Sequence, residues 1–177
     1  PVMVFTVIGI ILAAVFVAMV ISILLSIFIW NPLEVGCQKF FINCKYGNAE
    51  LGDIAYGFKN GYAHIGMIMF LRGLFTGLWM LLFIIPGIVK SYEYMMIPYL
   101  LAEHPEMTRQ EAFAESKQMM DGNKWDAFVL DLSFIGWTLL GVCTFGILLV
   151  FYVEPYIYLT RAELYHALKN NNKSVEF

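Results

Sequence analysis

Charged side chains inside apolar stretches are the residues of this sequence best placed to do chemistry. Six of them interrupt runs that are otherwise apolar, and they are Arg72, Lys90, Glu93, Asp131, Glu154 and Arg161. In a lipid bilayer a charge costs several kcal/mol unless it pairs, reaches the interface or faces water. Such residues therefore mark structural ion pairs, ligand sites or ion pathways, provided that the runs around them cross a membrane.

The two deepest of these charges have opposite signs. At 1.5 Å per residue, Arg72 lies about 15 Å from the inner end of its helix and Glu154 about 12 Å from the outer end of its own. In a hydrocarbon core of about 30 Å these depths nearly coincide. We therefore predict that Arg72 and Glu154 approach each other, with Asn31 and Asp131 beside them in a polar intramembrane binding cluster. A purely structural ion pair is the alternative.

Simpler explanations account for the other charges. Lys90 and Glu93 are three residues apart near a predicted turn, so we expect them to pair locally on one helix. Arg161 lies near a predicted inner interface, where its long side chain can reach the headgroup region.

We find no pattern of catalytic or metal-binding residues, and we predict no enzyme, no metal site and no cofactor. The sequence has no GxSxG, HExxH or phosphate-binding glycine loop. The histidines are scattered, at His64, His104 and His166. The cysteines form no CxxC pair, so we expect small structural residues in a reducing compartment at Cys37, Cys44 and Cys143.

Composition places the chain in a membrane. Hydrophobic residues make up 60% and charged residues 14%, with a mean hydropathy of +0.69, and residues 1–30 contain no ionisable side chain. Soluble domains have about 25% charged residues. We therefore predict an all-α integral membrane protein with the lipid bilayer as its partner. A basic face with interleaved aromatic residues is missing, so nucleic acid is not an expected partner.

Five apolar stretches are predicted to span the bilayer. Pro86-Gly87 and residues 143–146 interrupt long apolar runs and predict turns, so the last four spans form two helical hairpins. The predicted spans are 3–30, 62–85, 88–102, 125–142 and 146–166. Merging each hairpin into one long helix would give three spans instead.

The distribution of basic residues favours five spans. Most Lys and Arg residues lie in the connections 31–61 and 103–124 and in the C-terminus, whereas the hairpin turns have none. Basic connections face the cytoplasm, and only the five-span arrangement puts all three on that side. We expect a multi-pass protein of the bacterial plasma (inner) membrane with these segments inside.

The hairpins also recur along the chain. Tyr62 and Trp125 open them at a separation of 63 residues, and Pro98 and Pro155 in their second helices are 57 apart. Pro32 lies 66 residues before Pro98, so the first span resembles the second helix of another hairpin. We predict an internal repeat within a single transmembrane domain, 1–169, that is incomplete at its N-terminus.

One short segment between the hairpins is predicted to be an amphipathic helix. In Thr108–Met120, Thr108 and Glu111 form a capping-box pattern, and Gly122 follows as a helix terminator. Its apolar face should lie in the cytoplasmic membrane interface, or alternatively pack against other cytoplasmic segments. The polar tail, 170–177, is predicted to be disordered.

Several strings together resemble a known family. They are Trp30-Asn31-Pro32-Leu33-Glu34-Val35-Gly36, Gly57-Phe58-Lys59, Ile85-Pro86-Gly87-Ile88, Ile97-Pro98-Tyr99, the run 122–137 and Glu154-Pro155-Tyr156. The chain is similar to the bacterial membrane family called domain of unknown function 975. More distantly, it resembles the membrane domain attached to some glycerophosphodiester phosphodiesterases. The resemblance implies a plasma-membrane protein with an additional N-terminal span, and no known activity or catalytic residue.

Three functions stay open at this point. The first is a transporter-like or permease-like protein with a polar mid-membrane site for a lipid or small-molecule ligand. The second is an accessory or scaffold protein that binds lipid, a partner protein or a second copy of itself. The third is a membrane-embedded enzyme that modifies lipid. A charge-lined cavity at mid-depth favours the first, and a dry core with an apolar groove favours the second.

Overall fold

The computed structural model describes residues 2–144 and 146–175, with side chains over 6–144 and 146–171. The described part is helical, and no strand occurs in it. Its α-helices are α1 Val2–Leu25, α2 Asn31–Lys45, α3 Tyr56–Lys59, α4 Tyr62–Leu82, α5 Ile84–Glu93, α6 Ile97–Glu103, α7 Arg109–Met120, α8 Lys124–Ser133, α9 Ile135–Cys143 and α10 Glu154–Val175. Two π-helical turns, Ser26–Trp30 and Leu149–Val153, and a 3-10 helix, Leu51–Ala55, complete the set.

Three helices of the described part are long and apolar enough to cross a bilayer. They are Thr6–Lys45, Tyr62–Leu82 and Lys124–Cys143. The first of these helices extends into the predicted connection 31–61 as far as Lys45, because α2 directly follows the π-helical turn at the end of α1. The predicted third and fifth spans are interrupted helices in the structure. One is α5 and α6, joined by a turn at 94–96, and the other is a π-helical turn followed by α10.

A helix irregularity precedes each of the three matching prolines. Pro32, Pro98 and Pro155 each occupy the second position of a helix. Before them lie a π-helical turn, a non-helical turn and another π-helical turn. Proline lacks an N–H donor and its ring crowds the carbonyl four residues earlier, so the preceding turn opens. At Pro32 that carbonyl belongs to Phe28, and the hydroxyl of Tyr62 donates to it at 2.6 Å.

The first hairpin reverses three residues before the predicted turn. Phe83, with φ −151° and ψ 130°, separates α4 from α5, so the prediction of a turn at Pro86-Gly87 was wrong. Pro86 instead lies in the first turn of α5, where its missing N–H costs no helical hydrogen bond. Gly87 serves the close crossing of the two helices, because a Cβ there would lie 2.6 Å from Met80.

The second hairpin turns where the sequence predicts. Its first leg, α8 and α9, ends at Cys143, and Gly146 follows in the left-handed conformation at φ 81°. Phe145, within the predicted turn, lies outside the described residues. Close to the turn, a Cβ on Gly141 would lie 2.4 Å from the side chain of Leu149. The two legs are therefore in tight contact at the tip.

The packed core lies at the end of the molecule away from the hairpin tips. Buried side chains come mainly from α2, α6, α7, the start of α4 and the second half of α10. Two glycines allow the backbone to pack closely there, because a Cβ on Gly36 would meet the carbonyl oxygen of Ile54 at 1.9 Å, and one on Gly57 that of Pro32 at 2.2 Å. We call this packed end the base.

Helix α7 is part of the base. Its capping box is present, with the Thr108 hydroxyl accepting from the Glu111 N–H at 3.4 Å and the Glu111 carboxylate accepting from the Thr108 N–H at 2.8 Å. Its apolar face packs against protein, since the ring centroid of Phe113 is 4.9 Å from that of Tyr94 and Met120 is fully buried. The alternative of packing against other segments is therefore the one observed.

Most of the predicted C-terminal tail belongs to the last helix. The predicted disordered tail is 170–177, but α10 continues to Val175. Residues 176 and 177 lie outside the described part of the chain.

Candidate functional site

The ion pair of Arg72 differs from the predicted one. The Arg72 guanidinium on α4 donates to Glu34 of α2 at 2.9 Å, whereas Glu154 is exposed and takes part in none of the described ion pairs. The prediction failed because residues 31–61 were taken as a connection. The structure continues the helix past Pro32 and carries Glu34 alongside α4. The signal in the sequence was a carboxylate two residues after a proline that begins a helix.

A second ion pair joins the two legs of the second hairpin. Arg161 of α10 donates to one carboxylate oxygen of Asp131 on α8 at 2.9 Å, and the Tyr92 hydroxyl donates to the other oxygen at 3.0 Å. Side-chain exposure is 24% for Asp131 and 33% for Arg161. Asp131 was predicted for the polar cluster, and Arg161 was expected to extend to the interface. The structure instead holds Arg161 on a carboxylate.

Asn31 lies near the first ion pair and ties α2 to α4. Its amide donates to the backbone carbonyl of Gly66 at 3.3 Å, and the residue is 9% exposed. Close approach at this point requires a small residue, since a Cβ on Gly66 would lie 3.0 Å from the carbonyl of Ile27. Asn31 therefore positions the helix that carries Glu34.

Tyr99 of α6 is a buried polar residue near the two ion pairs. It is 2% exposed and within electrostatic reach of Arg161, Glu34 and Arg72. Its hydroxyl is buried and has no hydrogen-bond partner in the described chain, and the Nε of Arg161 is in the same condition. Buried polar groups are normally paired, so each of these two atoms has a hydrogen bond available for a water or a ligand atom. Sequence reasoning missed Tyr99, which reads as an apolar helix residue.

We call Glu34, Arg72, Tyr92, Tyr99, Asp131 and Arg161 together the polar cluster. Its members come from α2, α4, α5, α6, α8 and α10, so all three proline-initiated helices contribute. Two of the predicted site residues, Arg72 and Asp131, belong to it. Asn31 supports it, and Glu154 does not pair with its predicted partner.

Two cavities adjoin the polar cluster. The Glu34 cavity, about 270 Å³, is lined by Trp30, Leu33, Glu34, Cys37, Gln38 and Tyr158. The Asp131 cavity, about 300 Å³, is lined by Asp131, Phe134, Ile135, Thr138, Leu139, Ile157 and Arg161. In the first, the side-chain oxygen of Gln38 is buried without a hydrogen-bond donor. Each cavity thus combines charged or polar groups with an apolar wall, as small-molecule and lipid sites do.

Other buried charges have structural partners. The predicted local pair of Lys90 and Glu93 is confirmed, with an N–O distance of 2.8 Å, and Lys124 adds a contact to Glu93 at 3.3 Å. The Ser116 hydroxyl donates to the backbone carbonyl of Glu93 at 2.8 Å. These contacts fasten α7 and α8 to α5.

In the base, Glu103 holds the end of α6 to α10. The carboxylate accepts from the Tyr165 hydroxyl at 2.6 Å and pairs with Lys169. Burial raises the pKa of Glu103, but the hydrogen bonds from Lys169 and Tyr165 outweigh it and hold that pKa below its usual range. This contact fixes the charge of a carboxylate that has a structural role.

The cysteines and the potential metal-binding side chains form no second candidate site among the described residues. Cys37 and Cys44 are half-buried and Cys143 is exposed, and all three thiols are free. Within residues 2–144 and 146–175 no group of three His, Cys, Asp or Glu side chains is arranged to hold a metal ion.

Comparison with known proteins gives a family and no activity. Neither the curated proteins nor the solved structures contain a match to this chain. The distant resemblance to the membrane domain of glycerophosphodiester phosphodiesterases therefore stays a prediction. A family model described as "Protein of unknown function (DUF975)" matches residues 2–172. Because that match covers nearly the whole chain, the protein belongs to the DUF975 family.

Proposed function

We propose that the protein is a multi-pass integral membrane protein with a transporter-like role, in which the polar cluster binds a polar group where the hairpins meet the base. The apolar surface of the helices supports the first half of this proposal. Large side chains on the hairpins are widely exposed, at 85% for Leu81, 77% for Ile85 and 80% for Phe151. Lipid chains would cover such a surface, which in water promotes aggregation.

The placement of the basic residues supports a topology with the base in the cytoplasm. The hairpin tips, around Phe83 and Gly146, carry no basic residue, whereas Lys39, Lys59 and Lys117 lie in the base. Basic segments stay on the cytoplasmic side, so both hairpins would cross the bilayer and return. With α1 this gives the five spans and the bacterial inner-membrane location that we propose.

One observation carries the proposal of a binding role. Two ion pairs on four different helices lie within electrostatic range of a buried tyrosine hydroxyl that has no hydrogen-bond partner among the described residues. Three helices of the polar cluster also begin at a proline after a helix break. Interrupted helices in corresponding positions of repeats are where membrane transporters place their sites. Glu34 and Asp131 also compensate Arg72 and Arg161, so the cluster can persist at depth without a ligand.

An accessory or scaffold role is the second candidate. It is favoured by the pairing within the polar cluster, since each charged member already has a partner of opposite sign. It is also favoured by the well-packed apolar core of the base. Such a protein would bind lipid, a partner protein or a second copy and would move nothing.

Access to the Glu34 cavity separates these two candidates. In a chain whose only cysteine is Cys37, made with Cys44→Ser and Cys143→Ser, a membrane-impermeant thiol reagent is added to one face of oriented vesicles at a time. A transporter-like protein exposes its site alternately to both sides, so we expect Cys37 to react from either face. The measurement is the labelled fraction against time for each face.

A lipid-facing cysteine is the control for this experiment. Leu24→Cys in a chain without other cysteines places the thiol on the exposed surface of α1, and it should react from neither face. Reaction of Cys37 from one face only would overturn the transporter-like proposal and favour the accessory role.

A further inference from the structure

We propose that the Asp131 cavity binds the headgroup of a zwitterionic phospholipid that carries a primary amine. This inference rests on the membrane location proposed above, and it does not require transport. The lipid phosphate would bind Arg161, its ammonium group would bind Asp131, and one acyl chain would follow the apolar wall.

The cavity lies where the two legs of the second hairpin separate. At the tip the legs are in close contact, where Gly141 meets Leu149. Nearer the base, long side chains span the space between α8 and α10, through the Asp131–Arg161 ion pair and the edge contact of Phe134 with Tyr156 at 5.7 Å. Since the outer surface of this hairpin is apolar and exposed, the cavity would open toward lipid.

Arg161 supplies the phosphate end of the site. One of its terminal nitrogens is used by Asp131, but its Nε–H is buried and has no acceptor in the described chain. An unpaired buried donor on a guanidinium is costly, and a phosphate oxygen is the acceptor that this group binds most strongly. A phosphodiester at this position would supply the acceptor that the Nε–H of Arg161 lacks.

Asp131 supplies the ammonium end. Each of its oxygens already accepts one hydrogen bond, from Arg161 and from Tyr92. A carboxylate has about four acceptor positions, so two remain for the N–H groups of a primary ammonium. A quaternary ammonium has no N–H donor and would gain attraction from the charge alone.

Charge balance selects among lipid classes. Asp131 and Arg161 carry opposite charges 2.9 Å apart, so the site has no net charge. A zwitterionic headgroup places an opposite charge against each residue. An anionic headgroup would gain at Arg161 and be repelled at Asp131.

The remaining walls suit hydrocarbon. Ile135 and Leu139 are exposed at 50% and 63%, and Phe134 and Ile157 complete the apolar lining. At about 300 Å³ the cavity has room for a headgroup and the first part of one chain. The rest of the lipid would stay in the bilayer.

Native mass spectrometry of the full chain in detergent tests this proposal. The probes are palmitoyl-oleoyl lipids with phosphoethanolamine, phosphocholine or phosphoglycerol headgroups. We expect the phosphoethanolamine lipid to bind about tenfold more tightly than either of the others, the effect of one hydrogen bond to a charged group. Leu139→Trp, which fills the cavity without touching the ion pair, should abolish this preference.

Leu140→Trp is the matched control, because Leu140 is exposed on the same helix but does not line the cavity. It should leave the preference intact. If Leu139→Trp does not fold, Leu139→Ala removes the same wall without adding bulk and should weaken phosphoethanolamine binding about fivefold. Equal binding of the three lipids, an unchanged preference in folded Leu139→Trp, or unchanged phosphoethanolamine binding in Leu139→Ala would overturn the proposal. Selective lipid binding together with one-sided Cys37 labelling would retain this site and reject transport.

Discussion

Replacing Gly36 by alanine is expected to destabilise the base more than any other single methyl addition in the described chain. A Cβ at this position would lie 1.9 Å from the backbone oxygen of Ile54, and a backbone atom cannot move aside as a flexible side chain can. Overpacking of a well-packed core costs about 1–3 kcal/mol and occasionally more, and we expect the upper end here. The measurement is the unfolding temperature of the purified chain in detergent.

Gly73→Ala is the matched control for this prediction. A Cβ at Gly73, in the middle of α4, would meet no atom within 4 Å apart from its chain neighbours and the backbone of its own helix. Alanine also favours the helix by about 1 kcal/mol over glycine, so the unfolding temperature should stay the same or rise. Equal unfolding temperatures for Gly36→Ala and wild type would contradict the close contact between α2 and the segment around Ile54.

The second large effect concerns the Glu34–Arg72 ion pair. Glu34→Leu would leave the Arg72 guanidinium without a counter-charge, and in the membrane location proposed above an unpaired charge costs about 3 kcal/mol. We expect a strong loss of folded protein in Glu34→Leu and recovery in the double variant Glu34→Leu with Arg72→Met. The fraction of monodisperse protein after heating in detergent measures both.

Glu154→Leu distinguishes this ion pair from the one that the sequence analysis predicted. Glu154 is exposed and takes part in none of the described ion pairs, so its replacement should change stability little. If Glu154→Leu were as damaging as Glu34→Leu and Arg72→Met rescued it, the pairing predicted from depth alone would be right and the pairing in the structure wrong.

The sequence predicts helices well in this protein because apolar run length and capping patterns are local signals. The capping box at Thr108 and Glu111 and the local pair of Lys90 and Glu93 are both present in the structure. The position of a turn was harder to predict, because proline and glycine also occur in the first turns of helices and at close helix crossings. Pro86 lies in the first turn of a helix and Gly87 allows a close helix crossing, and neither forms the turn.

The candidate site was predictable only in part, because depth along a helix says nothing about the direction of a side chain. Arg72 and Asp131 were identified from the cost of a charge in an apolar run. Their partners were not, because Glu34 follows the apolar run and pairing depends on how α2 passes α4. Tyr99 gave no signal at all, since an unpaired hydroxyl is defined by its surroundings.

Labelling of hairpin tip and base in intact cells tests the central claim, that the hairpins cross a membrane and return to a cytoplasmic base. The two chains each carry one cysteine, either the native Cys143 near the tip of the second hairpin or Lys117→Cys on α7, with the other cysteines changed to serine. With an impermeant maleimide added outside, we predict labelling at Cys143, and labelling at position 117 only after the cells are permeabilised. Strong labelling at position 117 in intact cells, with none at Cys143, would contradict the account.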